Sequence, residues 1–82
     1  MQRARRFPAG EIDVRLDVRE GRIESVRIFG DFMGRLDVAE LEARLRGVRH
    51  DREAIARALD GVTVADYVGD VARDDVLDLL AP

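Results

Sequence analysis

Glu11-Ile12-Asp13-Val14-Arg15-Leu16-Asp17-Val18 alternates charged and apolar residues without a break. Successive side chains of a strand point to opposite faces, so this spacing puts Ile12, Val14, Leu16 and Val18 on one side and Glu11, Asp13, Arg15 and Asp17 on the other. That is the pattern of an antiparallel strand covered on one face and wet on the other. Glu20-Gly21 follows as a tight turn, with glycine supplying the positive φ that short hairpins need. The next run, Arg22 to Phe29, is apolar but out of phase, because Ile23 has the opposite parity to Val26 and Ile28. One extra residue at Glu24 or Ser25 brings all three onto one face and predicts a β-bulge there. Leu16 then pairs with Val26, Val14 with Ile28, and Arg15 stands opposite Arg27 on the exposed face. Like charges directly opposite are mildly destabilising. The pair marks either a site for an anion or an acidic partner, or a solvated face screened by Asp13 and Asp17.

Beyond the hairpin, Gly30-Asp31-Phe32-Met33-Gly34 reads as a loop whose Phe32 and Met33 are tucked beneath it or presented to a partner. Asp37 and Glu40 have the spacing of a capping box, and Val38, Leu41, Leu45 and Val48 recur at helical spacing before Gly47 ends the helix. Asp51 caps a second helix with Ile55, Ala58, Leu59 and Val62 inward. Val62 to Val71 is expected to be mostly irregular. A last helix over Arg73 to Leu80 carries Val76, Leu79 and Leu80 on one stripe, with Asp74 and Asp75 in its first turn. The fold class is α+β: a small antiparallel sheet, a hairpin plus a possible third strand from Arg3 to Phe7, with about three helices on one face.

The chain has 82 residues, enough for a single folding unit. Residues 1–6 read as a basic arm carrying Arg3, Arg5 and Arg6, frayed by default, and residues 7–82 as the domain proper. Without cysteine there is no disulfide framework and no thiolate metal site. Every one of the 14 basic residues is arginine, so chemistry that needs a lysine amine must come from elsewhere. A net charge of −3 and four aromatic residues argue against nucleic acid, and no apolar run suits a membrane helix or a secretory signal, which points to the cytoplasm. Ser25, Thr63 and His50 fall in separate parts of the chain with nothing to assemble them into a nucleophile and base. Asp66, Asp70, Asp74, Asp75 and Asp78 lack the calcium-loop pattern and read as helix caps and a solvated face. Gly30 to Gly34 lacks the spacing of a phosphate loop. The residues describe a module that works by binding another protein.

Several motifs in order carry a likeness. Arg6-Phe7 with Gly10, the strand Ile12 to Val18, Gly21-Arg22-Ile23, Ile28-Phe29-Gly30-Asp31-Phe32, and a capped helix containing Leu41-Glu42 and Leu45-Arg46-Gly47 together resemble the C-terminal accessory domain of lipoate-protein ligase. The likeness continues through Asp51, Ile55, Leu59 and Tyr67 to Leu79-Leu80. In that family the domain follows a large catalytic domain holding ATP, magnesium, lipoate and an essential lysine, and in some organisms the two are separate chains. The resemblance implies that this chain, beginning at Met1, is the separate small subunit, binding no cofactor alone and assisting formation of lipoyl-AMP before transfer to a lysine of lipoyl acceptor domains. It also implies a fold similar to sulfur-transfer and iron–sulfur scaffold proteins, whose cysteines this chain lacks. The partner-facing candidates are Gly30, Asp31, Phe32, Met33 and Gly34, with Arg15 and Arg27; no catalytic or metal residue is assigned. Two other readings stand beside this one: an interaction or scaffold module unrelated to lipoate, and a small hydrolase or transferase using His50 with nearby carboxylates.

Overall fold

The alternating stretch becomes the central strand of a three-stranded antiparallel sheet of order β1-β2-β3 in the computed structural model, which describes residues 1–8, 10–30 and 34–82. The strands are β1 (Gln2–Phe7), β2 (Gly10–Arg19) and β3 (Arg22–Gly30). Glu20 and Gly21 connect β2 to β3 with φ of 53° and 77°, two successive positive values that match the twist of the flanking strands. Leu16 pairs with Val26 and Val14 with Ile28, and the register slips between Asp17 and Val18 so that Glu24 is the extra residue. The bulge restores one apolar face: Ile12, Val14, Leu16, Ile23, Val26 and Ile28 are all buried. Val18 departs from the expectation. It keeps the parity of that face but is 42% exposed, because it lies near the turn end of the hairpin.

The arginine-rich start of the chain is no frayed arm. Gln2–Phe7 pairs along β2, from Gln2 opposite Arg15 to Phe7 opposite Gly10. Arg3 donates to the carbonyl of Asp78 at 2.8 Å and also to the carbonyl of Ala81, while Arg5 reaches Asp75 at 3.7 Å and Asp78 at 3.9 Å. A third strand is what a two-stranded ribbon needs to be stable, and these arginines anchor it.

Among the described residues four helices follow: α1 (Val38–Leu45), α2 (Arg52–Ala58), α3 (Ala65–Val68) and α4 (Arg73–Leu80). Asp37 caps α1 by accepting from the Ala39 amide at 2.9 Å, and Asp51 caps α2 by accepting from Ala54 at 2.8 Å. The reciprocal half of the expected capping box is replaced by a tertiary contact, Tyr67 Oη donating to Glu40 at 3.5 Å. The segment expected to be irregular holds α3, a single turn that buries Val68. The helices lie against the apolar side of the sheet, where Leu41, Leu45, Ile55, Leu59, Val68 and Leu80 join the strand residues in one core. Each fully buried Leu or Ile contributes about 1.5–3 kcal/mol, so this shared core outweighs the surface ion pairs.

The free edge of β3 is closed in two ways. Residues 47–50 run beside its start, with Ile23 donating to Val48 and His50 to Gly21, both at 2.8 Å. Further along, the buried carboxylate of Glu42 accepts the Ile28 amide at 2.7 Å. An unpaired edge amide invites pairing with other chains, and here it is occupied from within.

Candidate interaction surface

The side of the sheet away from the helices carries the residues that the hairpin register places outward. Gln2, Arg15 and Arg27 form one row across β1, β2 and β3. Phe29, opposite Asp13 in the next row, is 43% exposed. The Arg15 guanidinium lies 5.2 Å from the Phe29 ring centre and that of Arg27 lies 5.7 Å from it, within cation–π range. Asp13 pairs with Arg15 at 3.4 Å and receives the Gln2 amide at 3.2 Å. Asp17 accepts from Ser25 Oγ at 2.9 Å. A shallow depression of about 540 Å³ lies over Gln2, Arg15, Ser25, Arg27 and Phe29. Its lining can hold an anion by guanidinium and an apolar group by phenyl ring, and the Asp17 carboxylate that accepts from Ser25 also borders it.

The glycines of the expected partner loop have different surroundings. Gly30 ends β3 opposite Ile12 and is exposed. Gly34 abuts α3 so closely that a Cβ would fall 1.9 Å from the Tyr67 carbonyl oxygen. No side chain fits there without moving backbone, and the adjacent Arg35–Asp66 ion pair at 3.2 Å and the Leu36–Asp66 backbone bond at 2.7 Å fasten the same segment to α3. Asp31, Phe32 and Met33 lie outside the described residues.

With this geometry in place, the comparisons with known proteins are specific. The family model described as bacterial lipoate protein ligase C-terminus matches residues 1–80. The chain belongs to that family. It is 42% identical over 80 residues to the lipoate-protein ligase LplJ of Bacillus subtilis, covering 98% of this chain and 24% of the relative. It is also 39% identical over 75 residues to a lipoate–protein ligase of Streptococcus pyogenes, covering 92% and 22%, and 39% identical over 80 residues to lipoate–protein ligase 1 of Staphylococcus aureus, covering 98% and 24%. This chain spans about a quarter of the length of the curated relatives it matches.

Elsewhere in this lipoate ligase C-terminal domain, polar groups that a sequence reading could take for chemistry are tied into the fold. His50 Nε2 lies 2.9 Å from the Leu80 carbonyl, an oxygen that can only accept, so Nε2 is the donor of this bond. That contact fastens the α1–α2 connector to the end of α4. Ser25 has Asp17 as its partner, and Thr63 accepts the Asp66 amide through its carbonyl in the turn that opens α3. The acidic residues near the C-terminus do not serve as the expected caps, since the N-caps of α3 and α4 are Val64 and Ala72 without a side-chain bond; several pair with arginines instead. Arg52 donates to Asp78 at 2.7 Å, and together with Arg5 it clamps α4 between α2 and β1. Arg73 donates to the Leu59 carbonyl at 3.1 Å and the Ala56 carbonyl at 2.6 Å, satisfying the last turn of α2. Among the described residues no helix is long and apolar enough to cross a membrane.

Proposed function

We propose that this chain is the non-catalytic accessory part of a bipartite lipoate-protein ligase, acting with a large catalytic subunit in the ATP-dependent conversion of lipoate to lipoyl-AMP, before transfer to a lysine of lipoyl acceptor domains. The observation that carries the reading is the match of residues 1–80 to a domain that makes up only about a quarter of each ligase relative. The remaining three quarters of such a ligase is where the reactive groups belong, because this chain has no lysine at all. On this reading ATP and magnesium are held there as well. Asp66, Asp75 and Asp78 are occupied by arginines, and among the described residues no group of three or more His, Asp or Glu could hold a metal ion. ATP, magnesium and lipoate are accordingly assigned to the catalytic partner, in the cytoplasm.

What this chain contributes, on this reading, is surface and exclusion of water. A mixed anhydride of a carboxylic acid and a phosphate is hydrolysable, so a folded cover over the partner's site protects it and strengthens the charge interactions within it. The segment 30–34 is the proposed contact near that site. The test is lipoyl-AMP formation by the catalytic subunit with lipoate, ATP and magnesium, with and without this chain. Product is expected when both are present, with little from either alone. Activation of lipoate by this chain unaided, or no effect of the chain on the subunit, overturns the reading. Asp31→Ala combined with Phe32→Ala tests the contact: undiminished complex formation and adenylate synthesis would remove it.

A further inference from the structure

We propose that the outer face of the sheet, centred on Phe29 between Arg15 and Arg27, docks onto a carboxylate-bearing surface of the catalytic part of the ligase. The assignment rests on the accessory function proposed above and adds the surface and the chemistry of its counterpart. Arg15 and Arg27 are direct cross-strand partners, and both guanidinium groups lean on one aromatic ring. Two like charges held side by side disfavour the isolated fold, and intramolecular compensation is lopsided. Arg15 has Asp13 at 3.4 Å, whereas Asp17 turns to Ser25 and Arg27 has no carboxylate within 4.0 Å among the described residues. A carboxylate supplied from outside would satisfy Arg27 and relieve the repulsion in one step, and a guanidinium accepts it in a two-pronged geometry.

The neighbouring rows select among anions. Asp13 and Asp17 stand on either side of Arg15, about 7 Å away along the strand, and repel an extended polyanion such as nucleic acid. A discrete acidic side chain with apolar surface beside it fits between them. Phe29 supplies the apolar contact, and such rings surrounded by arginine are frequent anchors of protein interfaces. Position agrees with chemistry. The opposite face of the sheet is covered by helices and the β3 edge is closed by Glu42 and residues 47–50. In the relatives, roughly three quarters of the ligase lies outside the matched domain and must meet it somewhere.

Binding of the full chain to the catalytic subunit, measured by calorimetry at low and raised salt, tests this. Arg27→Glu is expected to weaken binding by about tenfold or more and to flatten its salt dependence, and Phe29→Ala to weaken it severalfold. Arg57→Glu, on the exposed side of α2 where Arg57 pairs with Glu53, is expected to leave affinity unchanged. The melting temperature of Arg27→Glu separates docking from a structural role, since an opposite charge facing Arg15 should hold or raise it. Wild-type affinity in Arg27→Glu, or a loss of affinity accompanied by an equal loss in thermal stability, overturns the docking surface alone. A wild-type chain that binds no catalytic subunit overturns the accessory function and this surface with it.

Discussion

Glu42 holds a buried carboxylate against a strand amide, and nothing in its sequence neighbourhood marks it for that role. It follows Leu41 in α1, where helical spacing identifies Leu41 and Leu45 as inward but treats the intervening acidic residue as a surface position. Only the packing of α1 along β3 brings its oxygen to 2.7 Å from the Ile28 amide. Glu42→Ala leaves that amide buried without a partner and is expected to cost about 1–3 kcal/mol in urea unfolding. Glu42→Gln keeps an accepting oxygen and should recover most of the loss. Equal stability of the alanine variant and wild type would show that water replaces the carboxylate. Val18 teaches the converse lesson. Its parity is correct, yet alternation cannot say where the covering layer ends.

At the scale of elements, the hairpin was legible in detail because parity is a strict constraint. A strand cannot present Ile23, Val26 and Ile28 to one side without an extra residue between them, so the bulge, the Leu16–Val26 pairing and the Arg15–Arg27 juxtaposition all follow. The first strand was harder to read. Gln2-Arg3-Ala4-Arg5-Arg6-Phe7 has no apolar alternation, because of the three positions on its inward side only Phe7 packs against the core, and the other two, Arg3 and Arg5, are arginines whose guanidinium groups reach α4 over its edge. Such side chains bury their stems and keep their charges at the surface, so their inward direction leaves no hydrophobic signature. Deleting residues 1–6 removes a ladder of backbone bonds worth about 1 kcal/mol each and leaves a two-stranded ribbon. The expected result is a fall in melting temperature of about 8–16 °C, corresponding to roughly 2 kcal/mol or more. An unchanged melting curve would return that segment to the status of a dispensable arm. The brief turn of α3 was missed for a different reason: four residues are too few to show a helical period.

For the molecule as a whole, strands and helices contribute to a single core, and among the described residues no buried apolar group stands apart from it. Scanning calorimetry of the isolated chain should therefore show one transition whose calorimetric and van't Hoff enthalpies agree, on the order of 60 kcal/mol for a domain of this size. Two resolved transitions would mean that the sheet and the helices fold independently. The sequence by itself determined the class of fold, the register of the hairpin and the two carboxylate caps, because these depend on local periodicity and on which side chain can reach a nearby amide. It also excluded lysine chemistry, by composition alone. Tertiary structure alone decided that Arg3 and Arg5 anchor a strand, that Glu42 seals an edge, that His50 serves the end of α4, and that no carboxylate among the described residues pairs with Arg27 beside Phe29. These assignments join residues distant along the chain, and only the folded geometry brings their polar atoms within hydrogen-bonding distance or holds them apart.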